Sequence, residues 1–256
     1  MEPRETVLRA VLLGASNLKI GLPFLLDRLR RRAGGPVEVL AACGHGRSYG
    51  AWSRFLFVRR LPGIATCGLW RDLEGRPPLP TIALLTDVGN DLVYGEDAAR
   101  IAGWVESCLD RLAGHQAGTV LTLLPLARLE RLTGWQVRLT VSLLFPGRDA
   151  PWPGLLDRAR DLDARLLRMA AERGVRVVEP EAGWYGIDPI HLRRSRRPEV
   201  WERLLSLWPL SPESPDRPGR LRLPLLGAEE VRLPGRTLRH PQPAARSEDG
   251  TSVSLY

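Results

Sequence analysis

The chain has 256 residues, 44% apolar and 26% charged, enough for one sizeable core and incompatible with disorder throughout. Its net charge of +8 comes from 36 arginines and a single lysine, Lys19. Residues 1–208 hold 30 basic and 23 acidic residues and the remainder 7 and 6, which argues against a basic nucleic-acid-binding tail. Cys43, Cys67 and Cys108 are odd in number and lack metal-ligand spacing, so neither a disulfide framework nor a metal site is expected, and a reducing cytoplasm is. The acidic N-terminus and the short apolar run Val11 to Ala15 match neither an export signal nor a membrane span.

In chain order, Val7 to Leu13 is a nearly continuous apolar run and predicts a buried strand; Ile20 to Arg32, with leucines at helical spacing, predicts a helix stopped by Ala33-Gly34-Gly35. Further strands are predicted at Val37 to Ala42, Thr81 to Thr86, Thr119 to Leu124 and Val175 to Val178. Helices are predicted at Asp97 to Leu112, Leu155 to Glu172 and about Pro198 to Leu207. Val137 to Phe145 alternates apolar and polar residues, as an exposed or edge strand does. Strands apolar throughout and alternating with helices imply a mainly parallel sheet of about five strands in a three-layer α/β/α sandwich. From residue 209 onward the chain holds 8 of its 22 prolines and reads as an extended or partly disordered arm, with Leu221 to Leu226 able to add a strand locally.

In such a sheet the loops at the carboxyl ends of the strands carry ligands. Here they hold Gly14-Ala15-Ser16-Asn17, then Gly44-His45-Gly46-Arg47-Ser48-Tyr49-Gly50, then Gly89-Asn90-Asp91, and finally Asp188-Pro189-Ile190-His191. A serine hydroxyl needs a base within hydrogen-bond reach and a third group to hold that base, and Ser16, His191 and Asp188 are candidates for the three roles. Taken singly, each has a plainer reading: Ser16 as the N-cap of the following helix, Asp188-Pro189 as a turn starter, His191 as a surface residue.

The four blocks, in this order, resemble those of the SGNH, or GDSL-like, hydrolases over roughly residues 7 to 207. The resemblance implies a flavodoxin-like fold, no cofactor, and hydrolysis or transfer of small carboxylic esters through an acyl-serine intermediate. It implies Ser16 as nucleophile, His191 as general base, Asp188 as its orienting partner, and an oxyanion hole from Asn90 and the backbone N–H groups of Ser16 and Gly46, with Arg47 as the alternative to Gly46. Ala15 and Asn17 depart from the aspartate and leucine usual on either side of the serine, and Val88 from the usual glycine of the third block.

Gly46-Arg47-Ser48-Tyr49-Gly50 also matches a nucleophile elbow, which makes Ser48 a rival nucleophile on an α/β-hydrolase fold, although too little chain precedes it for that fold. Trp184 and Tyr185 are read either as walls of a substrate pocket or as core. Arg193 and Arg194, with Arg196 and Arg197, are read either as a solvated helix entry or as attractors of an anionic substrate. A non-catalytic interaction module that docks through the C-terminal arm is the alternative from a different functional class.

Overall fold

The computed structural model describes residues 6–55, 58–132, 154–186, 188–214, 221–225 and 227–256, so the edge strand expected at Val137 to Phe145 lies outside the described residues. The first strand, β1 (Leu8–Leu13), is buried along its whole length, and α1 (Ser16–Arg32) leaves it after two residues. β2 (Val37–Ala42), β5 (Thr81–Leu85), β6 (Gly118–Thr122) and β7 (Arg176–Val178) follow as expected from their apolar runs. Between them lie α2 (Leu69–Glu74), α3 (Asn90–Val93), α4 (Ala98–Gly114), α5 (Leu126–Leu129) and α6 (Leu155–Glu172), and α7 (Arg197–Leu205) comes after β7.

Those five strands pair in parallel in the order β2-β1-β5-β6-β7. With the short hairpin after β2 set aside, this is the doubly wound order 2-1-3-4-5, whose switch point lies between the first and third strands. The loops after β1 and β5 therefore open into one crevice. The strands alternate their side chains between two cores. Val11, Leu13, Ala83, Leu85 and Leu121 meet α2, α4 and α6 on one face, and Ala10, Leu12, Val39, Leu84 and Val120 meet α1 and α7 on the other. The result is a three-layer α/β/α sandwich.

The C-terminal segment departs from the expected arm. Residues 221–225 carry no strand, but β8 (Glu230–Leu233), β9 (Arg236–Arg239), β10 (Ala245–Arg246) and β11 (Ser252–Leu255) all pair. β11 lies parallel to β2 and β10 antiparallel to β11, which extends the central sheet to seven strands. β8 and β9 join β3 (Ser53–Phe55) and β4 (Arg59–Leu61) in a separate four-stranded antiparallel sheet. The cause is local: Val253, Leu255 and Tyr256 are apolar, and without them β2 would present an unpaired edge to solvent. The Tyr256 amide donates to Ala41 O at 3.0 Å and its hydroxyl to Asp72 Oδ2 at 2.8 Å, so the last residues are fastened at both backbone and side chain.

Val253 is fully buried and Leu255 is 4% exposed, so truncation of either should behave as a core mutation. Leu255→Ala is expected to lower unfolding stability by about 2–4 kcal/mol in denaturant titrations. A loose arm would give less than about 0.5 kcal/mol, as exposed positions do.

Candidate active site

Ser16 is the first residue of α1 and the cap position belongs to Ala15, so Ser16 is not the N-cap. α1 has no acidic residue in its first turn and Ala15 contributes no side-chain cap; the missing acceptor comes from the loop after β5. Asp87 Oδ2 accepts the amides of Ala15 at 2.8 Å and Leu18 at 3.2 Å, placing a carboxylate at the positive end of the helix. Asp87 holds φ at 61°, a left-handed conformation that costs energy for a residue with a Cβ, and functional sites are where such conformations cluster. The two loops can meet because residue 14 is glycine: a Cβ there would lie 2.7 Å from Thr86 Cγ2.

Asn17 then joins these loops to the distant histidine loop. Its Nδ2 donates to Asp87 Oδ1 and to Ile190 O, both at 2.8 Å, and its Oδ1 accepts the Leu192 amide at 2.9 Å. Ile190 and Leu192 flank His191, so one side chain grips the backbone on both sides of the histidine and is bonded in sequence to Ser16. Within the histidine loop, Asp188 Oδ2 lies 2.6 Å from His191 Nδ1, while Oδ1 accepts the Ile190 amide at 2.8 Å. Burial alone would raise the Asp188 carboxyl, but the bonds from the His191 ring and the loop amides outweigh it and hold the group below its usual range. Asp188 is therefore the ionised partner of the His191 ring at Nδ1, and Nε2 is the ring nitrogen outside that bond. Among the described residues, neither the Ser16 hydroxyl nor His191 Nε2 makes a hydrogen bond.

The second and third blocks are tied together as well. Tyr94, just past α3, donates its hydroxyl to Gly46 O at 2.6 Å, and Asp91 Oδ2 accepts the Tyr49 amide at 2.8 Å. Gly46 has φ at 63°, the left-handed region in which glycine carries no Cβ penalty. Arg47 follows with its amide donating to Gly44 O at 3.2 Å and its fully buried guanidinium on the carbonyls of Pro62, Cys43 and Tyr256. The Arg47 amide is thus engaged inside its own turn, and the C-terminal strand braces the block-two loop from behind. Asn90 is buried and makes no side-chain hydrogen bond among the described residues.

Ser48 does not belong to this constellation. It is fully buried, its Oγ accepts the amides of Gly50 at 3.1 Å and Ala51 at 2.8 Å, and its hydroxyl faces Asp91. It sits in a loop beyond β2 with neither strand nor helix beside it, so the nucleophile-elbow reading and its α/β-hydrolase fold are set aside.

Of the residues expected near substrate, Trp184 is in the core against α1 and α7, with the Arg203 guanidinium 5.3 Å from its ring centroid. Of the two readings of Trp184, pocket wall or core, the structure shows core. Tyr185 does line a narrow cleft of about 90 Å³ that runs from Asn17 and Asn90 past Leu124 and Leu155 to Ile190. Ser16 and His191 border this cleft through their neighbours Asn17 and Ile190 rather than lining it themselves. Arg193 and Arg194 are exposed in the turn between His191 and α7. Two contributors were hidden in the sequence: Asp87, which follows a strand but resembles a routine turn residue, and Asn17, a departure from the family pattern whose polarity was its only signal.

No protein-family model and no curated protein matches the chain. Among solved structures, a member of the lipolytic protein G-D-S-L family from Veillonella parvula aligns over 79% of this chain and 98% of its own, with a TM-score of 0.50 and 12% identity. This chain has the G-D-S-L fold. TesA and an aryl esterase from M. smegmatis each align over 78% of this chain at 14% identity and a TM-score of 0.49, covering 97% and 100% of their own lengths. On this G-D-S-L fold, Asn17 gives α1 a polar grip on the histidine loop. Replacing it with leucine, Asn17→Leu, is expected to lower amide protection across residues 188–192 in hydrogen exchange while the strands β1 and β5 stay protected.

A second expectation concerns Asp91. Burial pushes its carboxyl up to about 6 from an ordinary 3.8, against the pull of Ser48 and the Tyr49 amide. The folded state therefore binds the proton more tightly than the unfolded chain, and this group adds stability as pH falls from about 6 towards 4. Above pH 6 the ionised group costs up to about 3 kcal/mol. Denaturation of Asp91→Asn at neutral and mildly acid pH should show the native protein gaining on the variant as pH falls; a gap that does not change with pH would contradict the assignment.

Proposed function

We propose that the protein hydrolyses small carboxylic esters through an acyl-serine intermediate, with Ser16 as nucleophile, His191 as general base and Asp188 as its orienting carboxylate. The observation that carries this reading is the grip of Asn17 on Ile190 O and Leu192 N, which ties the base loop to the residue next to Ser16. The fold shared with a lipolytic G-D-S-L protein supports it.

In this reading Ser16 Oγ attacks the ester carbonyl carbon as its proton passes to His191 Nε2, and the Asp188 carboxylate stabilises the imidazolium that forms. The carbonyl oxygen becomes an oxyanion and takes hydrogen bonds from the Asn90 side-chain amide and the backbone N–H groups of Ser16 and Gly46. Gly46 is preferred to Arg47 because the Arg47 amide is already bonded to Gly44 O. Collapse expels the alkoxide, which takes the proton from His191; water, activated by the same imidazole, then attacks the acyl-serine carbonyl and restores the hydroxyl. An alcohol in place of water would make the reaction an acyl transfer.

The cleft beside Asn90, bounded by Leu124, Leu155 and Tyr185, offers an apolar site for a short acyl group. Arg193 and Arg194, exposed just after the base, would draw anionic esters towards the entrance, an effect that salt should weaken.

A fluorophosphonate probe is expected to label Ser16, and Ser16→Ala should abolish labelling and lower turnover of p-nitrophenyl butyrate by about 10⁶. Asn90→Ala should cost about 10² to 10³ in kcat. Ser48→Ala should keep the label and lose stability only. A folded protein that takes no label would return the reading to a non-catalytic module.

A further inference from the structure

The four-stranded sheet carries its charge differently from the helical layers. On the helices, arginines are matched with carboxylates: Arg28 with Glu202 and Glu213, Arg100 with Glu96, Arg173 with Glu106 and Asp110. On the small sheet, Arg60 of β4 and Arg232 of β8 are directly opposite in register. Like charges directly opposite one another destabilise an antiparallel pair, so folding alone gives no reason for this pairing.

Glu230 lies 3.1 Å from Arg232 and neutralises that one guanidinium, which also sits 3.7 Å from the centroid of the Trp52 ring. Arg60 and Arg236 are exposed and have no carboxylate within ion-pairing distance among the described residues. All three arginines border one cleft of about 470 Å³, together with Val58, the Pro234-Gly235 turn and Thr237. It is polar where the cleft beside Asn90 is apolar, and about five times as large.

We propose that this cleft is a binding site for the phosphate group of a phosphorylated molecule. Guanidinium forks match the geometry of phosphate oxygens and bind them in bidentate fashion, and Thr237 adds a hydroxyl donor at the same wall. A bound dianion would turn the repulsion between Arg60 and Arg232 into shared attraction. The cleft is larger than phosphate alone requires, which leaves room for the organic remainder. β4 connects it to the loop after β2: burial holds the His45 ring below its ordinary pKa, and the charge of Arg59, adjacent to Arg60, acts in the same sense. The site does not depend on the esterase reading, because binding can be measured with Ser16→Ala protein.

The test is titration calorimetry of the full chain at low salt with inorganic phosphate and glycerol phosphate, alongside cosedimentation with vesicles of phosphatidylglycerol and phosphatidylcholine. Binding of either soluble probe, weakened about tenfold by Arg60→Gln or Arg236→Gln and unchanged by Arg100→Gln, supports a soluble phosphorylated ligand. Cosedimentation that is lost in the same variants supports the same site with a lipid headgroup as the source of the phosphate. Arg60→Gln should also raise the melting temperature, since it relieves the like-charge pair, so weakened binding cannot be blamed on unfolding. No binding of any probe, or full affinity in the variant lacking both Arg60 and Arg236, would overturn the proposal.

Discussion

The arrangement of this protein turns on two polar side chains at the start of α1. Asp87 supplies the helix with the acceptor its own sequence lacks, and Asn17 uses that same carboxylate as one of three anchors while it holds the histidine loop with the others. These bonds span loops that follow β1, β5 and β7, so they fix the separation of groups that lie more than 170 residues apart. A leucine at position 17 could fill space but could not impose that register. Hydrogen bonds of this kind are worth only about 1 kcal/mol each to stability, yet leaving buried partners unsatisfied costs more, which is why a cluster of them specifies one loop geometry.

The central strands and long helices were legible because burial on two faces demands apolar runs and amphipathic stripes, which Leu8–Leu13 and Leu155–Glu172 display. The candidate blocks at Ser16, Gly46 and Asn90 were legible because they lie in the loops that follow those strands. What escaped was built from weak local signals. β3, β4, β8 and β9 are three or four residues long and rich in arginine, and they exist because they pair with one another. β11 begins at a serine after a polar turn, and nothing near it in sequence announces that β2 needs a partner. Proline content suggested a loose tail, whereas prolines also end strands and shape turns, as at Pro234-Gly235 between β8 and β9.

Charge follows the same division. The arginines of the helical layers are mostly paired and cover apolar surface with their stems, so the high positive count says little there. On the small sheet the unmatched guanidiniums share a concave surface, and composition alone could not separate the two situations. Arg47 is a third case: fully buried and satisfied by carbonyl oxygens, it is part of the scaffold behind the glycine loop.

The parallel pairing of β11 with β2 joins residues such as Glu38 and Ser252, more than two hundred positions apart. Closing so long a loop is slow relative to local pairing, and during synthesis β2 emerges long before its partner. For that interval the strand offers an open, largely apolar edge to other nascent chains. Yield from cells should therefore respond to elongation rate and to holdase chaperones more strongly than the stability of the finished protein would suggest.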